Sequence, residues 1–168
     1  ELGAKSAYSL TKTGTVDMSI LIQPFVDPDF IQIPFLHSEV VCAVAPNHRL
    51  ANYGSITFSQ LSQESFYVLD KTFMLYDNII ESCQQAGFLP HIVRESAQWD
   101  LLIEAVSDGE GITLLPKPII DKFCSKTIVQ LHMQEPTLPW IPTIAYHREK
   151  FISTPMKLFL DMIYKLKD

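Results

Sequence analysis

The sequence predicts an α/β fold with mixed, mostly parallel sheets. From residue 66 to 116 the pattern runs strand, helix, strand, helix, strand, and that alternation implies right-handed crossovers onto a parallel sheet. Two runs, 16–22 and 39–45, are apolar almost without interruption, as strands covered on both faces are. The first and last parts of the chain look like a second, similar lobe.

Taken in order, Ser6 is a plausible N-cap and Gly14 a plausible C-cap for a short helix carrying Ala7 and Leu10. Residues 16–22 (Val-Asp-Met-Ser-Ile-Leu-Ile) read as a strand, and Pro24 and Pro28 make a loop. Residues 30–35 alternate and 39–45 run continuously, so both read as strands. Residues 46–50 break the pattern, Tyr53-Gly54 turns, and 57–61 is a helical turn introduced by Ser55 or Thr57. A buried strand at 66–69 leads through Asp70-Lys-Thr-Phe73 into a helix over about 74–85, closed by Ala86-Gly87. A strand at 91–95 and a helix at 98–107 follow. Gly109-Glu-Gly111 then turns into a strand that stops at Pro116. Residues 117–123 are helical and 128–132 a strand; Pro136, Pro139 and Pro142 punctuate a linker before a strand at 143–147. Thr154 or Pro155 opens a last helix, with Met156, Phe159, Leu160, Ile163 and Tyr164 on one stripe.

The 168 residues suit one large domain or two small lobes, and 47% hydrophobic with 19% charged residues is enough for a core. A formal net charge of −6 argues against the chain gripping nucleic acid by itself. The densest basic group, Lys157, Lys165 and Lys167, reads as a solvated helix face. Three cysteines, Cys42, Cys83 and Cys124, are too few and too far apart for a disulfide framework and fit a reducing compartment. No signal peptide and no run long enough to span a bilayer is visible. The five histidines, at 37, 48, 91, 132 and 147, lack metal-ligand spacing, so no metal or cofactor is expected. No Gly-x-Ser-x-Gly elbow supports a hydrolase, and Gly109-Glu-Gly111 falls at a helix end, unlike a dinucleotide fingerprint. These absences point to a binder and not an enzyme.

Six motifs in series carry a resemblance. Val16-Asp-Met-Ser-Ile, Pro34-Phe-Leu-x-x-Glu39, Val44-Ala-Pro-Asn-His48-x-Leu50, Leu61-x-x-Glu64-x-Phe66, Ala86-Gly-Phe-x-Pro90 and Gly109-Glu-Gly-Ile-Thr-Leu-Leu-Pro116 together resemble the effector-binding domain of LysR-type transcriptional regulators. The resemblance covers essentially the whole chain. It implies two Rossmann-like lobes of the periplasmic-binding-protein type, joined by crossovers near residues 43–46 and 142–145. Lobe I would comprise 1–44 and 143–168, and lobe II 45–142. It further implies a small-molecule effector held between lobes, a cytoplasmic homodimer or homotetramer with no membrane partner, and DNA contact only through a helix-turn-helix absent from this chain. Domains of the family begin with a strand, a helix and a strand before the segment matching Glu1-Leu-Gly, so lobe I is expected to be incomplete at its N-terminus. A solute-binding protein of a transporter shares the architecture and is the alternative.

Candidate contacts follow from chemistry and family position. Ala4, Lys5 and Ser6 bring peptide N–H groups to a helix start, a natural anion seat, although an ordinary cap explains them too. Ile22 and Gln23 close the first strand at its carboxyl end. Thr72 can cap or donate, and Phe73 can wall an apolar pocket. Trp99 opens a helix and either lines the cleft or packs between lobes. Glu110 and Gly111 match cleft positions of the family, at what reads as the mouth of the sheet, and otherwise form a C-cap turn. Cys42 is expected to be inert core and His48 structural.

Overall fold

The computed structural model of the chain describes residues 3–123 and 127–165. Cys124 and Lys167, singled out above, lie outside them. The chain divides into two compact units, one comprising the stretch up to His37 and the segment from Trp140 onward, the other Ser38–Pro139.

In the first unit, strand β1 (Ser19–Gln23) and strand β2 (Phe30–Pro34) each pair antiparallel with β9 (Pro139–His147). Alternation of side chains along a strand gives this sheet two apolar faces. Leu21, Phe30 and Ala145 meet Ala4, Ala7 and Tyr8 of helix α1 (Ala4–Lys12). Ile33, Ile144 and Tyr146 meet Met156, Leu160 and Ile163 of helix α5 (Thr154–Lys165).

In the second unit, β5 (Ser65–Leu69) and β6 (His91–Ser96) are parallel, and Phe66 bridges in parallel to Ile112, just before β7 (Thr113–Pro116). Strand β7 pairs antiparallel with β3 (Ser38–Val44), which pairs antiparallel with β8 (Val129–Gln134). β8 is parallel to a short β4 (Ser55–Thr57). Helix α3 (Trp99–Ser107) and helix α4 (Lys117–Phe123) cover one face, where Leu102, Val106 and Ile120 cluster with Val41, Ala43, Tyr67 and Leu115. Helix α2 (Met74–Gln85) lies against β5 and the 3-10 turn Phe58–Leu61. Among the described residues the sheets are therefore mixed: β5–β6, the Phe66–Ile112 bridge and β4–β8 are parallel, whereas β9 runs opposite to β1 and β2, and β3 opposite to β7 and β8.

Several expectations change. The first helix begins one turn early, with Gly3 as N-cap, and Ser6 sits inside its first turn without capping it. The strand expected from residue 16 begins at Ser19, because the N–H groups of Thr15 and Val16 both bond the Leu10 carbonyl and finish the helix end. Pro139 and Pro142 belong to β9 and not to a linker: Pro142 lies opposite Ile22, and its carbonyl accepts the Phe35 N–H at 3.1 Å. Of the α5 stripe, Met156, Leu160 and Ile163 are buried, whereas Phe159 and Tyr164 stay exposed at its margin. The second compact unit begins at Ser38 and so takes in β3, which the expected boundary after residue 44 left with lobe I.

Candidate functional site

Parallel strands followed by helices place helix N-termini at the carboxyl edge of a sheet, the edge where open α/β sheets bind ligands. In the second unit β5 runs into α2 through residues 70–73, and β6 into α3 through 97–98. The Asp70 N–H donates to the Ser96 carbonyl at 3.0 Å and ties the two connections together. The N-caps are Phe73 and Gln98, both extended and neither making a side-chain cap. Leading N–H groups of two helices thus share one rim uncapped by the N-cap side chains, with Asp77 and Asp100 in the first turns, and such groups favour an anion. Phe73, Leu75 and Trp99 are half-buried against the core cluster below, and Trp99 packs on Phe123 at 5.2 Å between ring centroids.

Thr72 does not cap α2. Its hydroxyl donates to the Asp70 carboxylate at 2.6 Å and its N–H to the same oxygen at 2.9 Å. The Thr72 hydroxyl and N–H hold the Asp70 carboxyl below its usual value. Lys71 lies 3.7 Å from Glu95 and over the Tyr76 ring.

In the first unit, α1 packs along β1 in the opposite direction. Thr11, near the helix C-terminus, donates to Ser19 at the strand's start at 2.7 Å. Ala4, Lys5 and Ser6 therefore lie toward the same end as Ile22 and Gln23. Ala4 is half-buried against the Leu21 cluster, and Lys5 and Ser6 are exposed. The Gln23 amide donates to Gln32 Oε1 at 3.1 Å, and the Gln32 amide reaches the Phe25 carbonyl at 3.5 Å.

Glu110 and Gly111 lie elsewhere. Helix α3 returns from the carboxyl edge to the amino edge, so the turn after it sits at the amino end of β5 and β7, away from Thr72, Phe73 and Trp99. Gly109, at φ 82°, donates to the Val106 carbonyl and Glu110 N–H to Ala105, which closes α3 in a Schellman motif. The Glu110 carboxylate accepts the Tyr67 hydroxyl at 2.9 Å. A Cβ on Gly111 would lie 2.3 Å from the Ser65 carbonyl oxygen, so glycine is required for β7 to approach β5. The expectation that this turn forms the mouth of the sheet is corrected: the motif was real, but crossover topology puts it at the wrong edge.

A further buried carboxylate carries no local signal in the sequence. Asp27, in the β1–β2 loop, is buried and accepts from Tyr8 at 2.5 Å, Lys12 at 2.8 Å and the Asp29 N–H at 2.9 Å. Its neighbour Pro28 marked the segment only as loop; nothing local connects it to residues 8 and 12.

Among the described residues no group of three or more His, Cys, Asp or Glu is disposed to hold a metal ion. His48 accepts the Leu50 N–H on Nδ1 at 3.2 Å and contacts Glu64 through Nε2 at 3.1 Å, with the Arg49 guanidinium on the other Glu64 oxygen. This is a buried loop clamp. Burial, and then the Glu64 charge, raise the Cys42 thiol far above its ordinary value, and burial pushes Cys83 up to about 12. Neither is a nucleophile at neutral pH. No helix among the described residues is long and apolar enough to cross a membrane.

Comparison with known proteins adds the following. A family profile described as "LysR substrate binding domain" matches residues 4–166. The uncharacterized HTH-type transcriptional regulator YwbI of Bacillus subtilis (strain 168) is 28% identical over 148 residues, covering 88% of this chain and 49% of its own length. The HTH-type transcriptional regulator AlsR of the same organism is 34% identical over 111 residues, 61% of this chain and 35% of its own. The chain thus spans about half or less of these relatives. The effector binding domain of QuiR in complex with shikimate superposes with a TM-score of 0.83 at 25% identity, covering 97% of this chain and 77% of that one. The Synechocystis PCC6803 CcmR regulatory domain in complex with 2-PG gives 0.83 at 18% identity, with 99% and 80% covered, a likeness of fold.

Proposed function

Because this chain belongs to the LysR substrate-binding-domain family, we propose that it is the small-molecule sensor of a LysR-type transcriptional regulator and has no catalytic activity of its own. The ligand class is a small organic anion. The single observation that carries this class is the pair of helix N-termini without side-chain caps, α2 and α3, on one rim above Phe73, Leu75 and Trp99. N–H groups and dipoles select negative charge, and the aromatic floor accepts a carbon ring or chain. In the first unit Ala4, Lys5, Ser6, Ile22 and Gln23 are the proposed contacts; in the second, Thr72, Phe73 and Trp99. Of the earlier candidates, Glu110 and Gly111 are retained only as supports of the β5–β7 seam.

Ligand binding acts by differential affinity: an anion that fits one conformation tenfold better shifts that equilibrium by about 1.4 kcal/mol. The whole regulator acts as a cytoplasmic homodimer or homotetramer and meets DNA through a helix-turn-helix outside this chain. Relatives that are transcriptional regulators support this reading over a transporter's solute-binding protein.

The test is a thermal-shift panel of small carboxylates, shikimate among them, with neutral isosteres of each. Anions should raise the melting temperature, since a ligand at 100 times its Kd adds about 2.7 kcal/mol. Trp99→Ala and Gln23→Ala should each weaken that response. Stabilisation by the neutral isosteres alone would sink the proposed ligand class.

A further inference from the structure

The β1–β2 loop does more than connect two strands. It leaves the carboxyl end of β1 at Gln23 and returns to Phe30, and on the way it is fastened to α1. Tyr8, on the helix, stacks on Phe30 at 5.3 Å and meets Phe25 edge-on at 6.5 Å, so both ends of the loop press on one ring. The hydroxyl of that ring donates to Asp27, as does Lys12 one turn further on. Phe25 in turn accepts the amide of Gln32, whose carbonyl oxygen holds the Gln23 amide. A continuous set of contacts therefore runs from Asp27 through Tyr8, Phe25 and Gln32 to Gln23.

We propose that Asp27 is a positioning residue: its carboxylate fastens the β1–β2 loop to α1 and thereby sets Gln23 against Ala4–Ser6. This rests on the reading of those residues as ligand contacts. Asp27 itself touches no ligand. The packing of Leu21, Phe30 and Ala145 against Ala4 and Ala7 is apolar and independent of the carboxylate, so the unit can keep its core while losing the registration of its ligand end. Three donors converge on one side chain, and an amide in its place can accept the Asp29 N–H but has no second anionic oxygen for Tyr8 and Lys12.

Nuclear magnetic resonance of the full chain tests this with Asp27→Asn, Asp27→Glu and Tyr8→Phe. In the ligand-free protein, Asp27→Asn should move the Ser6 backbone amide and the Gln23 side-chain amide, leave the core amides of Leu21 and Ile144 in place, and be partly reversed by Asp27→Glu. Tyr8→Phe, which keeps Lys12 and the Asp29 N–H, should give a smaller shift of the same two resonances and serves if Asp27→Asn does not fold. Ser6 and Gln23 amides that stay put, or changes spread equally into Leu21 and Ile144, overturn the proposal. Benzoate titration is the separate arm. In wild type it should perturb Ser6 and Gln23, and if the competent arrangement falls to a tenth in Asp27→Asn, its apparent Kd rises about tenfold. If benzoate perturbs neither residue in wild type, their assignment as anion contacts fails while the ligand-free shifts still decide the role of Asp27.

Discussion

The hydroxyl of Tyr67 donates to the carboxylate of Glu110 at 2.9 Å, joining residues 43 apart in sequence. Tyr67 is buried on β5, and Glu110 is the third residue past the end of α3. The bond closes the amino edge of the β5–β7 seam, where the Ile112 N–H donates to the Ser65 carbonyl and the Tyr67 N–H to the Ile112 carbonyl. Tyr67→Phe and Glu110→Gln should each cost about 1 kcal/mol, and the double variant little more than either. Urea unfolding of the four proteins checks the coupling, and anion response should be equal in all of them. A loss of ligand binding in Glu110→Gln alone would return this turn to the site.

Gly111 and Gly109 should behave differently. At Gly111 a methyl group meets the Ser65 carbonyl oxygen at 2.3 Å, and the seam must open; overpacking of this kind costs about 1–3 kcal/mol. At Gly109 nothing lies within 4 Å and the penalty is only that of positive φ, about 1–2 kcal/mol. Hydrogen exchange separates them: Gly111→Ala should loosen the Tyr67 and Ile112 amides, and Gly109→Ala the last turn of α3.

Thr113 offers a stabilising change. It is fully buried in β7, and its hydroxyl has no hydrogen-bond partner among the described residues. Valine has the same shape without the polar atom. Thr113→Val should raise stability by about 1 kcal/mol, because an unsatisfied buried hydroxyl is removed. A lower denaturant midpoint would reveal that the hydroxyl is bonded in solution.

Burial makes the protein sensitive to alkali. The Cys83 thiol, ordinarily at 9.0, is pushed up to about 12. Tyr67 is raised above 10.0 by burial first and by its bond to Glu110 second. For groups raised on folding, the stabilisation is complete below the unfolded value and is lost as pH rises toward the folded one. Unfolding free energy should hold up to about pH 9 and then fall steadily. Cys83→Ala, measured across the same range, should show a shallower decline. Native Cys42 and Cys83 should resist a thiol reagent at pH 8 in a Cys124→Ser background.

At low pH the sign reverses. The Lys12 ammonium first, then the Tyr8 hydroxyl, hold the Asp27 carboxyl well below its usual 3.8. A depressed group stabilises the fold above its unfolded value and loses that contribution as pH falls through the folded one. Acid unfolding monitored below pH 4 should therefore be less steep in Asp27→Asn than in wild type.

Much of the fold was legible because hydrophobic periodicity and end signals are local. The helices over 74–85 and 98–107 carried their own apolar faces, and the glycines at 14, 87 and 109 marked three helix ends that all close in the same way. Proline argues against strand, and at Pro142 only the pairing with Ile22 of β1 shows that β9 tolerates it.

The sequence by itself determined the alternation of strand and helix, the apolar runs that become the two cores, and the series of motifs that identify the family. Tertiary structure alone decided which loops share an edge. Strand direction and crossover bring residues 70–73 and 97–98 to one rim and send Glu110 and Gly111 to the other, and no local pattern encodes that separation. Asp27 shows the same limit: its partners, Tyr8 and Lys12, are 19 and 15 residues away, and a buried carboxylate takes its meaning from the donors that folding delivers to it.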